Sequence, residues 1–185
     1  MLILTIYLLW RLKMKGRDVV LGLLNTKSRS GYEIKEIVED QLAYFFDASI
    51  GMIYPTLRNL EKEGKIQKTR VYQTDKPNKN VYTITDSGKK EFAQYLKSPI
   101  AQDIYKSDCL MRLYLGTELS DKEITHLIQQ ELKHKQELLQ HLQDSYQDWQ
   151  SKGMNKRQKI TLDYEIATYK AAINALESAK QDLQP

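Results

Sequence analysis

The residue types that most often carry catalysis are few in this sequence, and their spacing matches no catalytic pattern. His126, His134 and His141 lack the i, i+4 spacing of a metalloprotease helix and have no acidic neighbours at metal-ligand spacing. Cys109, the one cysteine, lies in an amphipathic segment, which favours a packed thiol over a nucleophile. Since there is also no P-loop, Rossmann glycine fingerprint or G-x-S-x-G elbow, we expect no catalytic residue, no metal and no cofactor.

Residues 50–63 carry groups of a different kind, suited to contact with a groove of DNA. Ile53, Leu57 and Leu60 follow i, i+4, i+7 spacing, which predicts a helix with one buried face that ends before Gly64. In a helix-turn-helix, the outward and N-terminal positions of the second helix enter the major groove. The candidate DNA-binding residues here are the cap Ser49 and then Gly51, Met52, Tyr54, Pro55, Arg58 and Asn59.

Two residues of this segment bear on how it would fit a groove. Pro55 has no amide to bond the Gly51 carbonyl, so we expect the helix to bend there. The lack of a side chain at Gly51 permits close approach of the backbone. An alternative for Met52 and Tyr54 is that they belong partly to the core.

Phosphate contacts are predicted at two further places. The start of the preceding helix, at Gly31 and Tyr32, offers free amides and the positive end of a helix dipole. Lys76 and Lys79 lie in a turn-rich loop, where they would neutralise phosphates. Loop lysines are usually only solvated, so this interpretation depends on the elements around the loop.

The order of elements in the first half is typical of a winged helix-turn-helix. Ser30 and Glu33 form an S-x-x-E capping box, and β-branched and aromatic residues at 66–72 and 80–84 indicate a β-hairpin, the wing. The predicted helices cover residues 17–25, 30–42, 50–63 and 85–96. The predicted fold class is mainly α with a small β-hairpin: a winged helix-turn-helix followed by a C-terminal helical dimerisation arm.

Beyond Pro99 the sequence predicts three more helices, the last two with heptad spacing. They cover residues 103–115, 120–149 and 156 onward. A short link with Gly153 between the two long helices predicts an antiparallel hairpin, whose apolar edges a second copy of the chain could cover. Alternatively, both apolar stripes pack on the winged domain of the same chain. The candidate dimerisation residues are Leu139, Leu142, Trp149, Leu162, Ile166, Tyr169, Ile173 and Leu176.

Charge and composition agree with a nucleic-acid partner for the first half. Residues 1–98 hold 17 Lys and Arg against 11 Asp and Glu, a net charge of +6, whereas residues 99–185 hold 11 against 13. Such asymmetry suggests an anionic partner, although an excess of this size is also common on solvated surfaces. With 41% hydrophobic and 28% charged residues the chain is expected to be globular, and one cysteine fits a reducing cytoplasm.

The first 13 residues are interpreted as an N-terminal extension. Their apolar run is shorter than the roughly 20 residues of a membrane-spanning helix, and no basic region or small-residue cleavage site flanks it. We therefore expect neither a signal peptide nor a membrane anchor. Translation from Met14 is one hypothesis for this segment. The predicted domains are residues 14–98, the DNA-binding domain, and 99–185, the dimerisation domain.

Several motifs resemble the PadR family of winged-helix regulators. They are Gly31-Tyr32-Glu33-Ile34, Ile53-Tyr54-Pro55-Thr56-Leu57, Leu60-Glu61-Lys62-Glu63-Gly64 and Tyr82-Thr83-Ile84-Thr85-Asp86-Ser87-Gly88, and the segment from Lys106 to Leu113 is similar to the phenolic-acid-responsive branch. The resemblance extends from Met14 onward, and the extension before it departs from the family pattern. It implies a homodimeric repressor of a phenolic acid decarboxylase gene that a hydroxycinnamate such as p-coumarate releases from a two-fold symmetric operator.

An effector site is the least specified part of this interpretation. A phenolic acid needs an apolar slot and a cation for its carboxylate, and Arg112 near Tyr105, Met111 and Tyr114 is the candidate. An ordinary salt bridge is the alternative role for Arg112. Two other functions stay open: a winged-helix dimer that binds a protein partner instead of DNA, and an enzyme on an unfamiliar helical scaffold.

Overall fold

The structure is a computed structural model that describes residues 14–46, 50–72 and 78–183. The predictions for the N-terminal extension, Ser49 and Lys76 lie outside the described residues. The chain divides into two compact units between Asp103 and Ile104, a few residues after the predicted boundary at residue 98. Within the described ranges, no helix combines the length and apolar character needed to cross a membrane.

The first unit begins with two helices separated by a short strand. Helix α1 covers Gly16–Thr26, strand β1 covers Arg29–Ser30, and helix α2 covers Gly31–Ile37 and continues as a π-helical turn over Val38–Leu42. The predicted capping box begins α2: the Glu33 amide donates to Ser30 Oγ at 3.2 Å, and the Ser30 amide donates to Glu33 Oε2 at 2.7 Å. This reciprocal pair satisfies two amides that have no partner within the helix.

Helix α3 covers Ile53–Lys62 and follows a 3-10 turn over Ile50–Met52. We expected a bend at Pro55 because we predicted that the helix begins at residue 50, and this predicted start was wrong. Because the α-helix begins at Ile53, Pro55 lies in its first turn, where an amide has no partner within the helix and its loss breaks no bond.

The end of α3 is a Schellman motif built on Gly64, as the predicted stop required. Gly64 has a φ of 68°, its amide donates to the Glu61 carbonyl at 3.0 Å, and the Lys65 amide donates to the Leu60 carbonyl at 2.9 Å. The glycine is needed because an L side chain disfavours this left-handed conformation.

The wing is part of a three-stranded antiparallel sheet. Strands β2, Ile66–Val71, and β3, Lys79–Ile84, pair along their whole length, and β1 pairs with the other side of β3. The order is β1-β3-β2, so β2 is an edge strand. Our prediction missed β1, because two residues in a polar break give no period-2 pattern. Helix α4, Asp86–Leu96, follows with Thr85 as its cap.

One apolar core holds these elements together. Helix α3 contributes Ile53, Leu57 and Leu60, each buried to 1% exposure or less. The other members come from α1, α2 and the sheet: Val20, Leu21, Leu24, Ile34, Val38, Ile66, Tyr82 and Ile84. The predicted fold class is confirmed, since the first unit is a winged helix-turn-helix and the whole chain is mainly helical.

The second unit is a hairpin of two long helices with a short helix packed on it. Helix α5 covers Asp108–Leu115, α6 covers Asp121–Ser151 and α7 covers Lys156–Asp182. The predicted start of α5 at residue 103 was wrong, because the Ser107 hydroxyl caps the helix by accepting from the Leu110 amide. The α6–α7 pair is antiparallel, as predicted: Ile128 and Leu132 near the start of α6 pack with Ile173 and Leu176 near the end of α7.

The two heptad stripes pack against each other within one chain. Leu142, Leu162, Ile173 and Leu176 are buried, and Leu139, Trp149, Ile166 and Tyr169 are half-buried. The lysine that interrupts the first stripe, Lys135, pairs with Glu131 at 3.2 Å and lies 5.6 Å from the centre of the Tyr169 ring. Most of the predicted dimerisation residues are therefore already covered by their own chain.

Replacing Ser30 by alanine is expected to lower the free energy of unfolding by about 1 kcal/mol, because the capping hydroxyl is lost. Hydrogen bonds from Ser30 hold the pKa of the Glu33 carboxyl below its usual value. A carboxyl with a lowered pKa stabilises the fold above its unfolded pKa, about 4.3, and this contribution disappears as pH falls through the folded pKa.

The Ser30→Ala effect should therefore shrink below about pH 4. Urea unfolding of both proteins at pH 7 and at pH 3.5 measures it. Asn25→Ala, at an exposed position of α1, is the control and should change stability by no more than about 0.5 kcal/mol. An equal loss at both pH values would show that the bond from the Ser30 hydroxyl to the Glu33 carboxylate is not the source.

Candidate nucleic-acid interface

The outward face of α3 carries most of the predicted DNA-binding residues. Pro55, Arg58 and Asn59 are exposed, and Tyr54 is 47% exposed. Gly51, in the 3-10 turn, is exposed as well. These residues lie opposite the buried stripe of the same helix, so the core fixes the direction in which they face.

Two residues of the predicted set are engaged with the scaffold. Met52 is half-buried and lies so close to Gly16 of α1 that a Cβ atom there would overlap its methyl group. The Tyr54 ring lies against α2, where a Cβ at Gly31 would be 2.8 Å from its Cε1 atom. Met52 and one edge of Tyr54 therefore belong to the packing between helices, as the alternative interpretation had it.

At the start of α2, amides that were predicted to bind a phosphate are already engaged within the protein. Gly31 is buried, whereas Tyr32 is 62% exposed. The capping box already uses the amides of Ser30 and Glu33, and the ionised Glu33 carboxylate lies at this helix end. Lys79 of β3 is close enough to contribute to the lowered pKa of Glu33. A phosphate here would need the positive charge of Lys79 to offset Glu33.

Arg58 and Lys79 are the cations of the predicted set whose positions are described. Within residues 14–46, 50–72 and 78–183, neither side chain takes part in an ion pair. Their charges are therefore available to an anionic partner. Lys68, in contrast, pairs with Glu61 of α3 at 3.1 Å.

Sequence reasoning missed the cations of strand β2. Lys68 and Arg70 are exposed on this edge strand, and the Arg70 guanidinium lies 5.5 Å from the centre of the Tyr72 ring. Their i, i+2 spacing places both on one face of the strand. That spacing was visible in the sequence and was the signal that could have found them.

A cluster of four charged residues, here called the α3 clamp, holds the end of α3. It consists of Arg17 of α1, Glu63 at the end of α3, Lys65 after it and Glu91 of α4. Arg17 Nη2 lies 2.7 Å from both Glu63 Oε2 and Glu91 Oε1, and Lys65 Nζ lies 3.3 Å from Glu91 Oε2. The hydrogen bond from Arg17 lowers the pKa of Glu63, and that carboxylate raises the pKa of Arg17.

The predicted effector residues do not all converge on one site. Met111 and Arg112 line an open groove of about 1110 Å³ between α5 and the start of α6, with Leu115, Leu119 and Leu127 as its apolar wall. Tyr105 and Arg112 line a smaller groove of about 460 Å³ beside Cys109. Tyr114 is 84% exposed and lines neither groove. Arg112 Nε pairs with Asp108 at 2.8 Å, the alternative that the sequence left open.

The second unit leaves several large apolar side chains exposed. On α5 they are Leu110, Met111, Tyr114 and Leu115, and on α7 they are Ile160 and Tyr164. Cys109, which directly precedes Leu110, is half-buried, and burial raises the pKa of its thiol. No group of three or more His, Cys, Asp or Glu side chains among the described residues is arranged to hold a metal ion.

Two family models match the chain. The "Transcriptional regulator PadR-like family" matches residues 20–94, and "Virulence activator alpha C-term" matches residues 105–184. Among curated proteins, the negative transcriptional regulator PadR of Bacillus subtilis (strain 168) is 35% identical over 130 residues, which are 69% of this chain and 71% of that protein.

Solved structures are similar over nearly the whole chain. A PadR-like transcriptional regulator from Bacillus cereus is 44% identical, with a TM-score of 0.82 over 91% of this chain and 98% of that chain. Bacillus subtilis PadR in complex with operator DNA is 30% identical, with a TM-score of 0.79 over 91% of this chain and 98% of that chain. The same protein in complex with p-coumaric acid is 28% identical, with a TM-score of 0.71 over 90% and 97%.

Proposed function

Because the chain belongs to the PadR-like family of transcriptional regulators, we propose that it is a dimeric repressor that a small aromatic acid releases from operator DNA. Its relatives are regulators rather than enzymes. The observation that carries the DNA-binding step is the exposed face of α3, with Arg58 unpaired among the described residues and Ile53, Leu57 and Leu60 buried on the opposite side.

In this proposal α3 enters the major groove and the wing follows the backbone. Arg58 and Asn59 present donors from the exposed face of the helix, and Lys79 at the start of β3 neutralises a phosphate together with the loop lysine Lys76. The solved complex of the Bacillus subtilis relative with operator DNA supports this mode of binding. Arg70 on the outer strand adds a further cation to the same wing.

Dimerisation is proposed to use a different surface from the heptad stripe. The stripe residues are mostly covered by the α6–α7 hairpin itself, whereas Met111 and Tyr114 on α5 and Ile160 and Tyr164 on α7 are exposed. Large apolar side chains that are exposed on a helical unit favour an interface with another protein. A second copy is the occupant we propose, because a two-fold symmetric operator requires two α3 helices.

The effector is proposed to be a phenolic acid such as p-coumarate. The support is the complex of Bacillus subtilis PadR with p-coumaric acid. In this chain the larger groove combines an apolar wall, to which Met111 and Leu115 contribute, with Arg112 at its edge. Arg112 would have to exchange its Asp108 partner for the carboxylate of the ligand.

Footprinting with the wild-type protein on DNA upstream of its own gene identifies a protected duplex, which serves as the probe. The combined variant Arg58→Met, Lys76→Met, Lys79→Met is expected to bind this protected duplex more weakly than the wild type does. Each lost phosphate contact should reduce the slope of log K against log salt by about 0.9. As a control, the variant Lys90→Met, Lys97→Met removes exposed cations from α4 and from the residue that directly follows it. Unchanged affinity of the triple variant would contradict the assignment, and wild-type protein without salt-dependent binding to any DNA would indicate a protein-binding module.

The variant Met111→Glu, Tyr114→Glu is expected to convert a dimer into a monomer, because it places charges on the proposed apolar interface. Light scattering across a range of concentrations measures the mass. Gln129→Glu, Gln136→Glu at exposed positions of α6 adds the same charge as a control and should remain dimeric. A wild-type protein that is monomeric at all concentrations would contradict the proposed dimer.

Addition of p-coumarate is expected to remove the footprint of the wild-type protein. Arg112→Met should reduce the response to p-coumarate without changing DNA affinity in its absence, since Arg112 lies outside the proposed DNA-binding face. Benzyl alcohol, which has an aromatic ring and no carboxylate, serves as the ligand control. A footprint that persists at saturating p-coumarate would exclude this effector while leaving the repressor assignment intact.

A further inference from the structure

We propose that Arg17 is a positioning residue for DNA recognition: through the α3 clamp it holds the C-terminal end of the helix whose exposed face enters the groove. The inference rests on the proposed function. It assigns a role in operator recognition to a residue that lies outside the DNA-binding face.

The geometry joins three helices at one planar side chain. Arg17 lies in the first turn of α1, and its Nη1 and Nη2 atoms are 3.4 and 2.7 Å from the two carboxylate oxygens of Glu63, the residue that ends α3. Its Nε atom donates to Glu91 of α4 at 2.8 Å. A guanidinium binds two carboxylates through N–H donors that are fixed in one plane, whereas the three N–H donors of an ammonium group rotate about its bond to the side chain.

Neighbouring contacts hold the same end of α3. The Thr85 hydroxyl donates to the Gly64 carbonyl at 2.8 Å, and the Thr85 amide donates to the Lys65 carbonyl at 3.0 Å. Gly88 of α4 approaches this turn so closely that a Cβ atom would overlap the Lys65 carbonyl oxygen. The C-terminal end of α3 is therefore fixed on α1 and α4, and the exposed face with Tyr54, Arg58 and Asn59 lies on the N-terminal side of this attachment.

The core holds α3 through Ile53, Leu57 and Leu60, and the clamp adds a restraint against tilting at its C-terminal end. Because an α-helix rises about 1.5 Å per residue, a tilt of about 5° at Glu63 displaces the backbone by about 0.7 Å at Arg58 and by about 1 Å at Tyr54. Recognition groups need to be held within about 0.5 Å of their working positions. Loss of the clamp should consequently reduce sequence-specific contacts before it reduces the general attraction to phosphates.

Arg17 itself is poorly suited to contact DNA directly. Its side chain is 32% exposed, and its charge is shared by two carboxylates. With Lys65 included, the clamp contains two positive and two negative side chains. If Arg17 contacted a phosphate, its loss would reduce the salt dependence of DNA binding, whereas the loss of a positioning residue would leave the salt dependence unchanged.

The test uses the charge-neutral variant Arg17→Met, Glu63→Gln in the full-length protein. Its affinity is measured by fluorescence anisotropy for the upstream duplex protected by the wild type and for an unrelated duplex of equal length. We expect the affinity for the protected duplex to fall about three- to tenfold. The affinity for the unrelated duplex and the salt slope should stay unchanged, because no phosphate contact is lost. Lys133→Met, Glu137→Gln removes an exposed ion pair of α6 and should leave both affinities unchanged.

Circular dichroism at the assay temperature establishes that each variant is folded. If the double variant unfolds, Arg17→Lys replaces it in the test, because lysine keeps the charge but lacks the planar set of donors. A loss of affinity confined to the protected duplex is again expected. Unchanged affinity in a folded variant would reduce the clamp to a stabilising role. An equal loss for both duplexes with a slope smaller by about 0.9 would make Arg17 a phosphate contact. Wild-type protein that binds no DNA would overturn the proposed function and this inference together, whereas a binding wild type with an unaffected variant overturns the inference alone.

Discussion

The burial of one face of α3 is the constraint on which the rest of the first unit depends. Ile53, Leu57 and Leu60 are covered by α1, α2 and the sheet, and each buried side chain of this size contributes about 1.5–3 kcal/mol. This burial fixes the helix about its own axis, so the opposite face must carry Arg58 and Asn59 outward. The capping box then determines where α2 begins and the Schellman turn where α3 ends, and the clamp attaches the end of α3 to α1 and α4. The same short helix therefore contributes one face to the core and the opposite face to the proposed contact with DNA.

The local parts of this unit could be predicted because their signals lie within a few residues of one another. Ser30 and Glu33 are three positions apart, and Gly64 directly follows the helix that it ends. Contacts between distant residues gave no such signal: Arg17 and Glu63 are separated by 46 positions, and β1 exists only because β3 lies beside it. The late start of the α-helix at Ile53 was hidden for a related reason, since periodicity does not distinguish a 3-10 turn from the first turn of an α-helix.

The second unit shows a limit of heptad patterns. A repeating apolar stripe requires a partner helix, and the sequence of one chain does not state whether that partner is its own neighbour or a second copy. Here the stripes of α6 and α7 satisfy each other, so Leu142 and Leu162 are buried without a second chain. The large apolar side chains that stay exposed, such as Tyr114 and Ile160, fall outside the seam. The residues of the seam and these exposed residues differ in burial, which only the three-dimensional structure shows.

The position of β2 at the edge of the sheet has a consequence for solubility. An outer strand presents unpaired amides and carbonyls to which the same strand of another molecule could add. In this protein the exposed side chains along that strand include Lys68 and Arg70, so two such edges would bring like charges together. Continuous addition of strands between molecules is thereby disfavoured.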